Sequence, residues 1–373
     1  MERLIYWIAL VLVKVLQILP ARVCDQVGQA VGLLAWCIMP GYRGLVCRNM
    51  EVAYGEHKTR KEINKLCLEH FRALGANLAG AAHFFGAKEQ EIRSHTQLEG
   101  INFLLEAHRK GRGVVLAISH IGNWEMFAQA CFYVPQVRFG TIYQRIHNRY
   151  LDNWLTRIRQ KRGVRTFERR SGLNEAVKFL KSGGVLGVLV DQHAGDSGLW
   201  TPFFGKLAST SPLAAVLATR TGASVVPVAV FRSGCAFWRI CVWPEIPANC
   251  SVEELTARIN RVLEEQILVS PRDWFWVHNR WKLPRPHFLL ANVKRGIYYS
   301  PSKNFEKLQK LRILIRTSNW LGDAVMNVPA VRAIRMGRPD LHITILSPEK
   351  LVEFWKEIQA GDEVLGIPQS WGA

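Results

Sequence analysis

The sequence predicts an α/β fold: a mixed sheet flanked by helices, set between an apolar N-terminal helix and a further strand–loop–helix–strand unit. Three observations carry that expectation. From residue 113 onward, short apolar runs alternate with polar helix-like stretches, the pattern of a sheet covered on its faces. Residues 4 to 19 are apolar apart from Lys14 and Gln17. A second strand-then-helix pattern begins at Leu311, after a basic and polar break.

The first element lies in "MERLIYWIALVLVKVLQILPARV". Its apolar stretch is slightly short of the ~20 residues that cross a bilayer. No small-x-small site precedes Arg22, which disfavours a cleaved signal peptide. Residues 1–22 are therefore expected to be a membrane anchor, spanning or lying in the interface, with Lys14 snorkelling. Arg22 and Arg43 after it, against Arg3 before it, place the body on the cytoplasmic side of the membrane. The alternative is a buried amphipathic first helix. Next, "TRKEINKLCLEHFRALGANLAGAAHFF" carries Ile63, Leu66, Leu68, Phe71, Leu74 and Leu78 at roughly helical spacing.

The runs "GVVLAIS", "GGVLGVLV" and "ASVVPVAVF" are expected as buried strands, with Gly111, Gly183, Gly184 and Gly222 stopping the helices before them. "EELTARINRVLEEQILVSP" is a late helix ended before Pro271. The main domain is then 23–289. Residues 290–310 are expected as a linker, and 311–373 as the further unit.

A formal charge of +19 would suggest disorder in a polar chain, but 49% hydrophobic residues and a mean hydropathy of +0.01 exclude that. A folded protein meeting an acidic partner remains: an anionic membrane, a phosphorylated substrate, an acidic protein or a nucleic acid. Thirteen tryptophans favour the membrane surface, and no recognised nucleic-acid motif accompanies the charge. The eight cysteines form no CxxC pair and none sits among histidines at zinc spacing. Reduced thiols in a cytosolic compartment are expected, with no metal and no cofactor.

In open α/β sheets ligands sit beyond the carboxyl ends of the strands. "VVLAISHIGNWEMF" puts His120 and Glu125 at such an end, and "VLVDQHAG" does the same for Asp191. Gly122 frees the backbone to bend. With Asn123 capping a new helix, Glu125 in its first turn is placed to swing back to the imidazole. A carboxylate would then orient His120 as it takes a proton from a hydroxyl. The plainer alternative is a satisfied histidine and a glutamate that favours a helix N-terminus. Between 145 and 170 nine cations face only Asp152 and Glu168. Arginines in such a cluster hold phosphates by paired hydrogen bonds, or line a solvated helix face. Phe203 and Phe204 line an acyl channel or simply fill the core.

The block "SHIGNWE" resembles the HxxxxE motif of the lipid A late acyltransferases, lauroyl and myristoyl transferases within the lysophospholipid acyltransferase superfamily. Further blocks follow in the family's order: "YQRIHNRYLDNWLTRIRQKRG", "DQHAGDSGLWTPFFGKLASTSPLAAVLATRTGASVVPVAVFR" and "PRDWFWVHNRWK". The likeness covers about residues 5 to 285. It implies a glycerolipid acyltransferase-like fold, with His120 as general base and Glu125 as its partner. Arg159 matches the functional arginine of the family, or Arg157 if the alignment shifts. Asp191 matches a functional aspartate and, with Gln192, opens the DQ block. Arg145 stands one residue later than the family's Tyr-Arg-Pro segment puts its arginine.

The implied reaction moves a fatty acyl chain from an acyl carrier protein thioester to a hydroxyl of a lipid A precursor. No GxSxG elbow is present, which disfavours an acyl-enzyme. A different glycolipid acceptor, such as a phosphatidylinositol mannoside, or a non-catalytic membrane-tethered scaffold are the alternatives. From Leu311, "ILIRTSNWLGDAVMNVPAVRAIRMGRPDLHITIL" resembles the start of the ADP-heptose:lipopolysaccharide heptosyltransferases. That resemblance implies a partial Rossmann-like unit with Asp323 in its loop. The nucleotide-sugar half is missing, so no glycosyl transfer is expected.

Overall fold

The computed structural model describes residues 1–282, 296–298, 308–338 and 340–368. The expected linker at 290–310 lies mostly outside them. Contacts divide the chain into two units, Met1–His193 with Thr210–Arg280, and Ala194–Ser209 with Trp281–Ala373.

The elements run α1 (Glu2–Ile18), α2 (Ala21–Ile38), α3 (Pro40–Tyr54), α4 (Arg60–Phe84), α5 (Glu89–Ser94), β1 (Thr96–Glu99), α6 (Ile101–Arg109) and β2 (Val114–Ile118). Then come α7 (Met126–Gln129), β3 (Phe139–Tyr143), α8 (Arg149–Lys161), β4 (Arg165–Glu168), α9 (Leu173–Lys181), β5 (Val185–Leu189), and the paired β6 (Leu199–Phe203) and β7 (Lys206–Thr210). The chain continues through α10 (Leu213–Thr221), β8 (Ser224–Gly234), β9 (Phe237–Val242) and α11 (Val252–Val269). It ends on β10 (Leu311–Arg316), α12 (Leu321–Gly337), β11 (Leu341–Pro348), α13 (Val352–Ile358) and β12 (Glu363–Ile367).

The first unit is built on a seven-stranded sheet of order β1-β9-β8-β2-β5-β3-β4. All its pairings are parallel except β8 with β9. The three expected strands are β2, β5 and β8, which lie side by side at its centre. Every residue of β2 is buried, as a strand covered on both faces requires. Its neighbours β5 and β8 run in register with it, Ile118 opposite Leu189 and Val228.

Helix α4 begins with a capping box in which the Thr59 side chain accepts from the Glu62 N–H and Glu62 accepts from the Thr59 N–H. It crosses α2 at a close backbone approach. A Cβ on Gly28 would stand 2.5 Å from the Gly75 carbonyl, and one on Gly75 would stand 2.0 Å from that of Gly28. Only glycine allows that approach.

Helix α1 has no buried residue. It is tied down at both ends: Arg3 donates to the Tyr150 hydroxyl, His83 Nδ1 bonds the Leu16 carbonyl, and Gln17 reaches the Ala82 carbonyl. Leu4, Trp7, Ile8, Val11, Leu12 and Val15 stay exposed, as do Val27, Val31, Leu34 and Ile38 of α2. Among the described residues no single helix is long and apolar enough to cross a membrane. The bent pair α2 and α3, at 96° to one another, has the length and composition together.

The second unit carries β6 and β7 and a three-stranded parallel sheet of order β10-β11-β12. Helices α12 and α13 supply Ala324, Val328, Val331 and Trp355 to a core shared with Ile343 and Ile345. Phe203 is buried in this unit against Trp281, whose indole N–H donates to the Phe203 carbonyl. Asp323 is exposed in the first turn of α12.

Candidate active site

Strands β2 and β5 end at the same level, and the residue two positions beyond each end belongs to the site. Because Ile118 pairs with Leu189, His120 and Asp191 are carried past the sheet edge side by side. The Asp191 carboxylate is fully buried and accepts three hydrogen bonds. His120 Nδ1 lies 2.7 Å from Oδ1, the His120 backbone N–H gives Oδ2 a bond of 2.7 Å, and the Trp274 indole N–H gives it one of 2.8 Å. Burial alone raises a carboxyl, but the facing imidazole and these donors outweigh it and hold Asp191 down at about 2. An anionic partner on Nδ1 fixes the tautomer, so that Nε2 carries the lone pair. The amide nitrogen of the exposed Gln192 stands 3.5 Å from Nε2.

Glu125 is not the partner of His120. Its carboxylate is gripped by Arg159, with Nε to Oε2 at 3.2 Å and an outer guanidinium nitrogen to Oε1 at 2.5 Å. The expected cap explains the difference. The helix after the motif starts only at Met126, and the Asn123 side chain makes no hydrogen bond, so Glu125 sits in a turn ahead of the helix rather than within it. From there its carboxylate meets α8. Gly122 does bend as expected, at φ +58°, and a Cβ there would stand 2.1 Å from the Val230 carbonyl.

Arg159, in the last turn of α8, is therefore the arginine brought to the motif, with only about one-sixth of its side chain exposed. Arg157 is exposed two residues earlier. Arg145 is exposed beyond β3, where its charge helps hold the Glu168 carboxyl low, after the larger effect of the Ser171 hydrogen bonds. Of the residues the sequence singled out, the structure joins His120 with Asp191 and Gln192, and Glu125 with Arg159, and leaves Arg145 and Arg157 exposed.

It missed the aromatic frame. Trp124 and Phe275 pack on the imidazole, at 5.0 Å and 6.0 Å between centroids, and on each other at 5.5 Å. Beyond Asp191 sit two more ionisable groups. Burial pushes His278 down to about 4, and its Nε2 accepts the His193 N–H at 2.7 Å. Burial likewise lowers Arg280, to about 10, against the opposing pull of Asp191 and Glu264. Phe275, His278 and Arg280 lie in the closing Trp-rich block, which was visible in the sequence as a block but not as a wall of the site. Among the described residues no group of His, Cys, Asp and Glu is arranged to hold a metal ion.

A family model described as bacterial lipid A biosynthesis acyltransferase matches residues 1–283. The chain belongs to that family. It is accordingly an acyltransferase of lipid A biosynthesis, and its acceptor a lipid A precursor. It is 28% identical over 287 residues to a lipid A biosynthesis lauroyltransferase of Escherichia coli K12, covering 74% of this chain and 92% of the relative. It is 25% identical over 268 residues to the lipid A biosynthesis palmitoleoyltransferase of the same organism, covering 71% and 86%. A phosphatidylinositol mannoside acyltransferase of Mycolicibacterium smegmatis is 26% identical over 186 residues, covering 48% and 60%.

Proposed function

We propose that the protein transfers a fatty acyl chain from an acyl carrier protein thioester to a hydroxyl of a lipid A precursor, with His120 as general base and Asp191 as its orienting carboxylate. The acceptor hydroxyl approaches Nε2, which takes its proton as the oxygen attacks the thioester carbonyl. The tetrahedral intermediate collapses with loss of the carrier thiolate, which recovers the proton from the imidazolium. An ester and a free thiol result. Glu125 holds two arms of the Arg159 fork, and the remaining guanidinium N–H groups serve the oxyanion or a phosphate of the acceptor. The observation that carries this proposal is the imidazole itself: pinned through Nδ1 to a buried anion, with Nε2 turned to the exposed Gln192.

Other features support the partners. A charge of +19 suits an acidic carrier protein. The exposed apolar side chains of α1 and α2 suit a bilayer surface, and α1, tied to α4 and α8 at both ends, suits lying in the interface better than standing across it. We place the body at the cytoplasmic face of the inner membrane. Vesicle flotation checks this: Leu12→Asp should release the protein from anionic vesicles, and unaltered flotation counts against it.

The direct assay supplies purified protein with acyl carrier protein thioester and a Kdo-bearing tetraacyl lipid A precursor. The product should be heavier by one acyl chain, and His120→Ala should reduce turnover by roughly 10²–10⁴. A panel that includes a phosphatidylinositol mannoside separates the acceptors. Acylation of the mannoside alone would refute the lipid A assignment of this site.

A further inference from the structure

We propose that Trp274 is a positioning residue for acyl transfer: it fixes the Asp191 carboxylate and, with its two chain neighbours, the backbone of the His120 turn. This rests on His120 acting as the base. Three contacts from residues 273 to 275 fall on three consecutive parts of that turn. The Phe275 N–H donates to the His120 carbonyl at 2.9 Å, Trp274 forms an antiparallel bridge with Ile121, and the Asp273 carbonyl accepts the Gly122 N–H at 2.8 Å. The segment thus acts as a one-residue strand laid against the motif.

The clasp is itself anchored. Asp273 accepts from the Arg232 N–H of β8 at 3.0 Å and from the Ser270 hydroxyl at 2.8 Å. Trp274 and Trp276 are both buried, with ring centroids 4.6 Å apart. Asn49 of α3 donates to the carbonyls of Trp276 and His278 at 2.7 and 2.8 Å. From this fixed frame the indole N–H reaches Asp191 Oδ2, the oxygen that also accepts the His120 backbone N–H.

The indole bond has an electronic consequence as well as a geometric one. A donor on Oδ2 draws negative charge away from the oxygen that faces His120 Nδ1. Without it the carboxylate attracts the imidazolium more strongly, and the imidazole is harder to keep as a free base. The other ionisable groups around the pair are His193, His278 and Arg280, and Glu264 of α11 faces Arg280 in turn.

The test is the pH dependence of kcat/KM for Trp274→Phe, measured on the full chain with acyl carrier protein thioester and lipid A precursor. The acid limb should move upward by about half a pH unit or more, with roughly tenfold lower kcat/KM at neutral pH. A lower rate with an unmoved limb would mean that Trp274 only fills space, and would overturn the proposal, as would a wild-type profile. If Trp274→Phe does not fold, benzothienylalanine at 274, with sulfur in place of the N–H, gives the same comparison at unchanged shape. His120→Ala is run alongside. Full activity there would sink the base assignment itself, whereas an inactive His120→Ala beside an unshifted Trp274 variant sinks only the clasp.

Discussion

Two aspartates in the first unit are equally buried, and they are put to opposite uses. Asp25 of α2 and Asp191 beyond β5 are each about 1% exposed, and each is saturated with donors. Asp25 accepts two bonds from the outer nitrogen of Arg232 at 2.9 and 2.7 Å, one from Arg232 Nε at 3.2 Å, one from the Ala236 N–H and one from Gln29. Its partner is always charged. Asp191 instead faces an imidazole, which can hold or release a proton, and whose second nitrogen turns to the exposed Gln192. A buried anion locks structure when its partner cannot titrate, and becomes part of a base when its partner can.

Substitution should separate the two most sharply at Asp191. Asp191→Asn is expected to cut turnover by about 10⁴, the scale seen when an orienting carboxylate is lost, while the chain still folds. Circular dichroism and product mass spectrometry would check both halves. Asp25→Ala should do the reverse. Leaving Arg232 buried and unpaired costs about 3–5 kcal/mol in stability, with turnover per folded molecule near wild type. A shared loss of activity would erase the contrast.

The second carboxylate of the motif gives a smaller effect. Glu125→Gln should lower turnover by about 10²–10³ by freeing Arg159. Arg157→Ala should stay within about threefold of wild type, since an exposed side chain away from the site contributes little. Equal losses at Arg157 and Arg159 would show that the wrong arginine has been assigned.

A separate effect is on stability against pH. Burial lowers His70 and His278 to about 4, and both sit close to the closing block. Below an unfolded value near 6.5 the unfolded chain binds protons that the folded chain refuses, so stability present above that pH falls away toward 4. Each histidine contributes up to roughly 3 kcal/mol to that loss, less for the partly open His278. Thermal melts between pH 7 and 4 should show the decline, and His70→Gln should flatten it.

Much of this was legible in the sequence, for physical reasons. The three central strands announce themselves because a parallel strand buried on both faces must be a continuous apolar run, as Val114–Ile118 is. Edge strands carry no such signal. β4 reads Arg-Thr-Phe-Glu. β9 lies inside the sheet, next to the β1 edge, and was hidden because a hairpin return from β8 was not suspected. Within the site, His120 and Asp191 were visible as strand-end residues, but their pairing depends on β2 lying next to β5, which no local pattern states. Glu125 was assigned to the imidazole from its nearness in the chain and its place in the HxxxxE motif. The nearer group in space came from 71 residues away, and its third donor, Trp274, from 83 residues beyond that aspartate.

The most direct measurement is the proton NMR signal of the imidazole Nδ1–H, assigned by its loss in His120→Ala. A ring N–H bonded to a buried carboxylate resonates far downfield. The signal should disappear in Asp191→Asn and persist in Glu125→Gln. Persistence in the first and disappearance in the second would mean that Glu125 holds the ring after all, and that Asp191 is only its neighbour.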